Sequence, residues 1–482
     1  MNGTIALGAL KAASAWYAQN YYKDKDPNNP NDPAWNFWQK SNQLDSYIRL
    51  ATLVSHVYPS ETFWKEVLFG GPDPQVKGLI VDFQQTVTKA LDLQTDWSDD
   101  YGWGGMACLS TAEYIKSTNP TSKEWETFRD LGIKCFEIQC SRWDCTLNAR
   151  PVFHGLSNSP PAGDPANYAK NTVTNANFMA LSMQLYDFLN ANPDPSRPNL
   201  PSQALGYAYE QFLWFFGWIN TKADPANGIP YNYYHRTLTT HIADAAMLEE
   251  RPVAYPPGTY PVTLYPSFTE HATWSGDQGL FLNACALLYL YADDLTPSRP
   301  TVNPQQVKES LRVWMQWITR GVYHCLCGPN VDGVLREAPF ENIFRDDPGD
   351  YVCGRGVLAR LLNREATRTV LQQIGGGVPD FAPIWGSTSS RIVQTQKGGL
   401  FKASWNNINN LIAYDRFKML WGDGDAKLDW NREAILPEGL PVWDNYCQMM
   451  GFDILGAYLR SSLWQKDWRG EIKEFSENNG HI

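Results

Sequence analysis

Thr95-Asp96-Trp97-Ser98-Asp99-Asp100-Tyr101-Gly102-Trp103 runs without a break into Gly104-Gly105-Met106-Ala107-Cys108-Leu109. The second half is apolar and built from small residues, the pattern of a helix with no solvent face, which other helices must surround. The first half sets two carboxyls side by side where that helix begins. Neighbouring acids repel each other, and burying them unpartnered is costly. Two readings account for them. Asp in a first helical turn caps exposed amides and complements the helix dipole. Glycosidic bond cleavage also needs two carboxyls, one to protonate the leaving oxygen and one to attack or to activate water.

Working outward, helical periodicity recurs between clusters of Pro, Gly and Asn. It predicts helices near 3–22, 36–57, 74–93, 100–117, 123–141, 167–190, 202–219, 275–292, 304–323, 351–373 and 442–465. Clear breaks fall at Asp26–Pro33 and at Asn192–Pro195. Strand-like alternation is confined to 260–265 and 391–415, and residues 221–266 and 375–441 read as long loops or small hairpins. The expectation is an all-α chain of stacked helical hairpins. If the hairpins close into a ring, its loops and any site gather at one end.

Composition narrows the function. With 43% hydrophobic and 19% charged residues the chain can bury a large core. A net charge of −11 argues against nucleic acid or an anionic membrane as partner, and no apolar run is long enough to span a bilayer. Twenty Trp, 24 Tyr and 21 Phe supply flat apolar faces with polar handles, which suit sugar rings as well as cores. The seven histidines and nine cysteines show no metal-ligand spacing, and there is no phosphate-binding loop or nucleophile elbow, so no metal or cofactor is expected. The odd cysteine count fits an extracellular chain with one or two bridges or an intracellular chain with none. Lys11 interrupts the apolar run 5–15, no hydrophobic tail ends the chain, and the only glycosylation sequon is Asn2-Gly3-Thr4. Those features favour a cytoplasmic setting over a secreted one.

Further polar groups stand where a core would not choose them. Arg142-Trp143-Asp144 closes a helix pattern, with a surface ion pair and a packed Trp as the plain alternative. Asn171 and Asn175 lie four apart at the start of the helix that carries Phe178, Leu181 and Leu185, sharing one face where amides can hold hydroxyls. In Trp274-Ser275-Gly276-Asp277-Gln278-Gly279, Ser275 and Gln278 have capping-box spacing, leaving Trp274 and Asp277 to face a cavity.

These segments, in this order, resemble glycoside hydrolase family 76, the α-1,6-mannanase family, and its fungal branch in particular. The resemblance is carried by Trp35–Leu50, by Asp99-Asp100-x-Gly-x-x-Gly-x-Ala107, by Arg142-Trp143-Asp144, by Tyr168-x-Lys170-Asn171-Thr172-x-Thr174-Asn175 and by Trp274–Gly279, with a looser match from Gly333 to Arg360. It implies an (α/α)6 barrel occupying residues 1–482 as one catalytic domain. It also implies retaining hydrolysis or transfer of α-mannosides, with Asp99 as nucleophile and Asp100 as general acid/base. Retention requires carboxyls about 5–5.5 Å apart, and adjacent residues at a helix start can reach that. Tyr101, Trp103, Arg142, Trp143, Asp144, Asn171, Asn175, Trp274, Asp277 and Gln278 then become candidate contacts to a carbohydrate or other small-molecule substrate. The chain departs from the family at Gly104, which replaces a bulky aromatic and is expected to open space beside the acids. That departure favours a second reading, acid/base cyclisation or isomerisation of a small metabolite on the same fold. A sugar-binding protein without turnover is a third.

Overall fold

A helix buried on every side needs neighbours on both flanks, one behind and one across, and six such helices can satisfy one another only by closing a circle. The computed structural model of the chain describes residues 3–20, 37–71, 78–143, 155–156, 172–221, 274–297, 299–327, 333–335, 353–376, 378–396, 401 and 444–464. Within them lie fourteen α-helices and no strand. They are α1 (Gly3–Asn20), α2 (Phe37–Val57), α3 (Phe63–Phe69), α4 (Leu79–Leu93), α5 (Ser98–Thr118), α6 (Glu124–Arg142), α7 (Thr172–Ala191), α8 (Leu200–Thr221), α9 (Ser275–Tyr291), α10 (Pro304–Gly321), α11 (Gly354–Leu362), α12 (Glu365–Ile374), α13 (Ala382–Thr395) and α14 (Asp444–Trp464).

Helix α2 packs on α5, α5 on α7, α7 on α9, α9 on α11, α11 on α14, and α14 returns to α2. This is a closed inner ring of six. Helices α6, α8 and α10 back α5, α7 and α9; α12 also lies behind α9, α1 and α13 behind α14, and α3 and α4 behind α2. The architecture is the expected (α/α)6 barrel. Sequence character follows position. The outer α10 and α12 are strongly amphipathic, whereas α5, α7 and α9 bury nearly every residue. No helix among the described residues is long and apolar enough to cross a membrane.

Close approach in the ring is permitted by glycine. A Cβ at Gly102 of α5 would stand 1.2 Å from Oδ1 of Asn177 on α7, a wholly buried side chain held by Nε2 of Gln139 at 3.3 Å. Gly102→Ala therefore has to push α5 and α7 apart, and it is expected to destabilise the fold by about 3 kcal/mol or more in urea denaturation. A loss within about 0.5 kcal/mol would contradict this packing.

The inner helices run parallel, so each level of the ring collects residues from all of them. Halfway along, the lumen is closed by polar groups. Arg49 of α2 donates to Ser110 Oγ of α5 (2.8 Å), which also accepts from Gln184 of α7 (3.2 Å). Arg364 donates to Gln184 Oε1 (3.1 Å) and to Asn283 Oδ1 of α9 (3.0 Å). Arg360 of α11 donates to the Asn42 carbonyl (2.9 Å) and pairs with Asp45 (3.1 Å) and Asp453 of α14 (3.4 Å), and Ser46 donates to Asp453 (2.7 Å). Burial alone would raise the Asp45 carboxyl, but Arg49, Arg360 and Arg364, with Ser110, outweigh it and hold the group at about 2. Burial dominates at Asp453 and lifts it to about 7 despite Arg360.

Three sequence expectations change. The predicted helix 351–373 is two helices, broken at Asn363 and Arg364. Residues 382–395, expected as loop running into a strand, form α13, which packs Ile384, Trp385 and Ile392 inward against the core. Helix α3 was not anticipated. The alternation at 260–265 and the break at 26–33 lie outside the described residues, while 192–195 is the predicted break between α7 and α8.

Candidate active site

The turn that carries the acids is held from behind by α6. Arg142, wholly buried, donates to the carbonyls of Gln94 (2.9 Å) and Asp96 (2.9 Å), and Gln139 donates to that of Ser98 (2.7 Å). The Gln94 backbone adopts the left-handed conformation (φ 53°) that ends α4. The Arg142 guanidinium also lies 4.9 Å from the Tyr101 ring centre, and the Tyr101 hydroxyl donates to Ala90 O (3.0 Å). Tyr101 and Arg142 thus brace the turn through hydrogen bonds to backbone carbonyls.

On this platform the two carboxyls part ways. Asp100 is buried at the third position of α5, and its Oδ2 accepts the Trp97 backbone N–H at 3.0 Å. Capping, one of the two sequence readings, is correct for this residue. Asp99 makes no such bond. Its Oδ1 is buried with no hydrogen-bond partner, and burial lifts the carboxyl to about 6, opposed only by the local amides of residues 99 and 100. Asp96 on the same turn is also raised, by burial against the pull of Arg142 and Lys89.

One helical turn beyond Asp99 on the same face is Trp103. Its ring meets that of Trp274 edge to face at 6.2 Å, and Trp274 is the N-cap of α9, which is not adjacent to α5 in the ring. The contact therefore crosses the mouth of the lumen. Trp274 and Trp38 of α2 pack in turn on the buried Cys353 and Met449, at the starts of α11 and α14. Indole faces, a thiol and a thioether from five helices thus line one end of the barrel, the end at which α5 begins with Asp99. Among the described residues Cys108, Cys135, Cys140, Cys285 and Cys353 are unbridged thiols. No group of His, Cys, Asp and Glu is placed to hold a metal ion among the described residues.

The remaining candidates divide. Asp277 and Gln278 are buried in the first turn of α9 beside Trp274, and Gln278 Nε2 donates to the Trp274 carbonyl (3.2 Å). Trp274, not Ser275, occupies the cap position, so the expected Ser275–Gln278 capping box does not form. Asn175 is wholly buried: its Oδ1 accepts from Leu156 N (2.7 Å) and Gln211 Nε2 (2.9 Å), and its Nδ2 donates to Leu156 O (3.2 Å). It clamps the segment that bridges to Trp143. Trp143 itself leans on Tyr207 of α8 at 5.2 Å and reaches Gln211 with its Nε1. Asn175 and Trp143 therefore serve the seam between α6, α7 and α8. Asp144 and Asn171 lie outside the described residues.

The space expected at Gly104 is filled. A Cβ there would lie 2.2 Å from the Phe37 ring, which stacks on Phe83 and meets Tyr101 edge-on. An aromatic from α2 thus occupies the volume that a side chain at 104 would need. Trp97, two residues before Asp99, is 52% exposed, and no feature of the sequence marks it as a surface tryptophan. Cys353 and Met449 carried no signal distinguishing them from ordinary core residues.

No family model matches the chain, and no curated protein matches it in sequence. Solved structures match in fold. The GH76A alpha-1,6-mannanase from Salegentibacter sp. HEL1_6 is 15% identical with a TM-score of 0.51, over 95% of this chain and 98% of that one. Dfg5 from Chaetomium thermophilum, solved in complex with glucosamine, is 14% identical with a TM-score of 0.51, over 96% and 92% of the two chains. The barrel is shared along nearly the whole length of all three.

Proposed function

We propose that this protein is a retaining glycosidase or transglycosidase acting on α-linked, mannose-type saccharides, with Asp99 as nucleophile and Asp100 as general acid/base. The observation that carries the reading is the Asp99 carboxyl: half-buried, with its Oδ1 shielded from water and without a hydrogen bond, next in sequence to a second carboxyl where α5 begins. A carboxylate with one oxygen free of hydrogen bonds keeps that lone pair available for attack. It attacks the anomeric carbon while Asp100 delivers its proton to the departing oxygen; water then enters, gives a proton to Asp100 and releases the sugar from Asp99. On this reading the pair carries one proton, held on Asp100, when Asp99 attacks. Arg142 and Gln139 fix the turn so that neither carboxyl swings away. Trp97, Trp103 and Trp274 offer faces on which pyranose rings pack. The likeness to a mannanase and to a glucosamine-bound protein supports the same substrate class.

A panel of α-linked manno-oligosaccharides, with product anomers followed by proton NMR, tests this. The first-formed product is expected to be the α-anomer. Because Asp99 must be ionised to attack, kcat/KM is expected to fall as pH drops through about 6. Turnover of no oligosaccharide in the panel, or first formation of the β-anomer, would overturn the proposal.

A further inference from the structure

Beyond the acids, the chain holds a second built recess, between the C-terminal halves of α2 and α14 and the end of α11, on the far side of the polar girdle from Asp99. Its cavity volume is about 40 Å³, and it is open on one side. Four arginines line it, Arg49, Arg360, Arg364 and Arg460, against one acid, Asp453. Asp45 lies behind them and is spent on Arg49 and Arg360, and Glu113 of α5 also attracts Arg49 and Arg364. Glu365 and Arg368 sit together beside Arg460 and offset each other.

Like charges repel, and a fold that gathers four arginines, Arg360 and Arg364 of them buried, needs a reason. The carbonyl end of α11 supplies part of it, where Arg460 donates to Asn363 O (3.3 Å), and Arg360 donates to Asn42 O within α2. These carbonyls do not satisfy Arg364. That side chain is more than nine-tenths buried, its Nη1 is used on Gln184 and Asn283, and its Nε and Nη2 have no hydrogen-bond partner, the nearest acid being Asp45 at 3.9 Å. A guanidinium with one edge anchored and the other unfilled, flanked by three more, is the geometry that captures an oxyanion bidentately. We propose that this recess binds a phosphate group, as free phosphate or on a small phosphorylated metabolite, and that the bound anion completes the girdle holding α2, α11 and α14 together. The inference stands apart from the function proposed for Asp99.

Thermal unfolding of the full chain in inorganic phosphate tests it, against sodium chloride and sodium acetate at matched ionic strength. Phosphate is expected to raise Tm saturably, by about 3 °C at a hundredfold excess over its Kd, with no such rise in chloride or acetate. Arg364→Gln should abolish the rise. Arg460→Gln removes a recess arginine whose hydrogen bond goes only to a neighbouring carbonyl; it is the variant to rely on if Arg364→Gln does not fold, and it should weaken phosphate binding at least tenfold. Glucose 6-phosphate binding more tightly than phosphate would identify a phosphorylated metabolite as occupant, and equal or weaker binding would identify free phosphate. A rise in phosphate no larger than in chloride, or one unchanged in Arg460→Gln, would overturn the inference.

Discussion

Asp99→Asn is expected to abolish turnover of α-mannosides and, at the same time, to make the protein more stable. The native carboxyl is raised from 3.8 to about 6 because folding removes it from water without supplying a partner for Oδ1. A raised carboxyl costs stability where it must ionise in the folded state. The cost is absent below the unfolded value, grows as pH rises from about 4 to 6, and is complete above that. A shift of this size corresponds to about 1–3 kcal/mol. An amide carries no charge, so the variant should gain most of that amount at pH 7.5 and little at pH 4. Loss of activity without the pH-dependent gain would mean that the site is not desolvated as described. Asp100→Asn should behave differently, because Asp100 caps α5 through the Trp97 amide: activity falls, and stability does not rise.

The second large effect is structural. Arg360→Met is expected to destabilise the fold by about 3–5 kcal/mol at pH 8, since it leaves Asp45 and Asp453 buried with their shared cation gone. The deficit should narrow as pH falls toward 5. Asp453 stands at about 7 even beside Arg360, so without that cation it takes up a proton more readily still and stops opposing burial. Equilibrium urea denaturation of parent and variant across that range gives both numbers. A deficit below about 1 kcal/mol at pH 8 would show that the girdle does not hold the ring closed.

The barrel was largely legible in the sequence. Small residues and the absence of a polar face in 104–109 announced a helix surrounded by others, and the Pro- and Asn-rich break at 192–195 separated two helices as written. What escaped depends on partners remote in sequence. Nothing local marks the break at Asn363–Arg364; the helix ends there because Arg364 reaches Gln184 and Asn283, 180 and 81 residues away. Helix α13 carries Pro383, Gly386 and a Ser/Thr run that locally favour a loop, and burial of Trp385 and Ile392 overrides them.

The site was half legible. Adjacent acids drew attention to this turn, but sequence alone cannot distinguish a capping carboxyl from an unpartnered one. Tyr101, Arg142 and Asn175 are polar residues near the acids, and their residue types gave no hint that backbone carbonyls and amides already occupy them. Phe37 could not be known to fill the space beside Gly104, because α2 and α5 are contiguous only in the folded ring.

The claim on which the functional account rests is that the Asp99 carboxylate itself bonds to the sugar. Incubation with 5-fluoro-α-mannosyl fluoride, followed by digestion and mass spectrometry of the peptide spanning residues 97–103, measures this directly. The account predicts one fluoromannosyl group on Asp99, absent in Asp99→Asn. Slow turnover of the reagent with a label at any other residue, or with none at all, would contradict it.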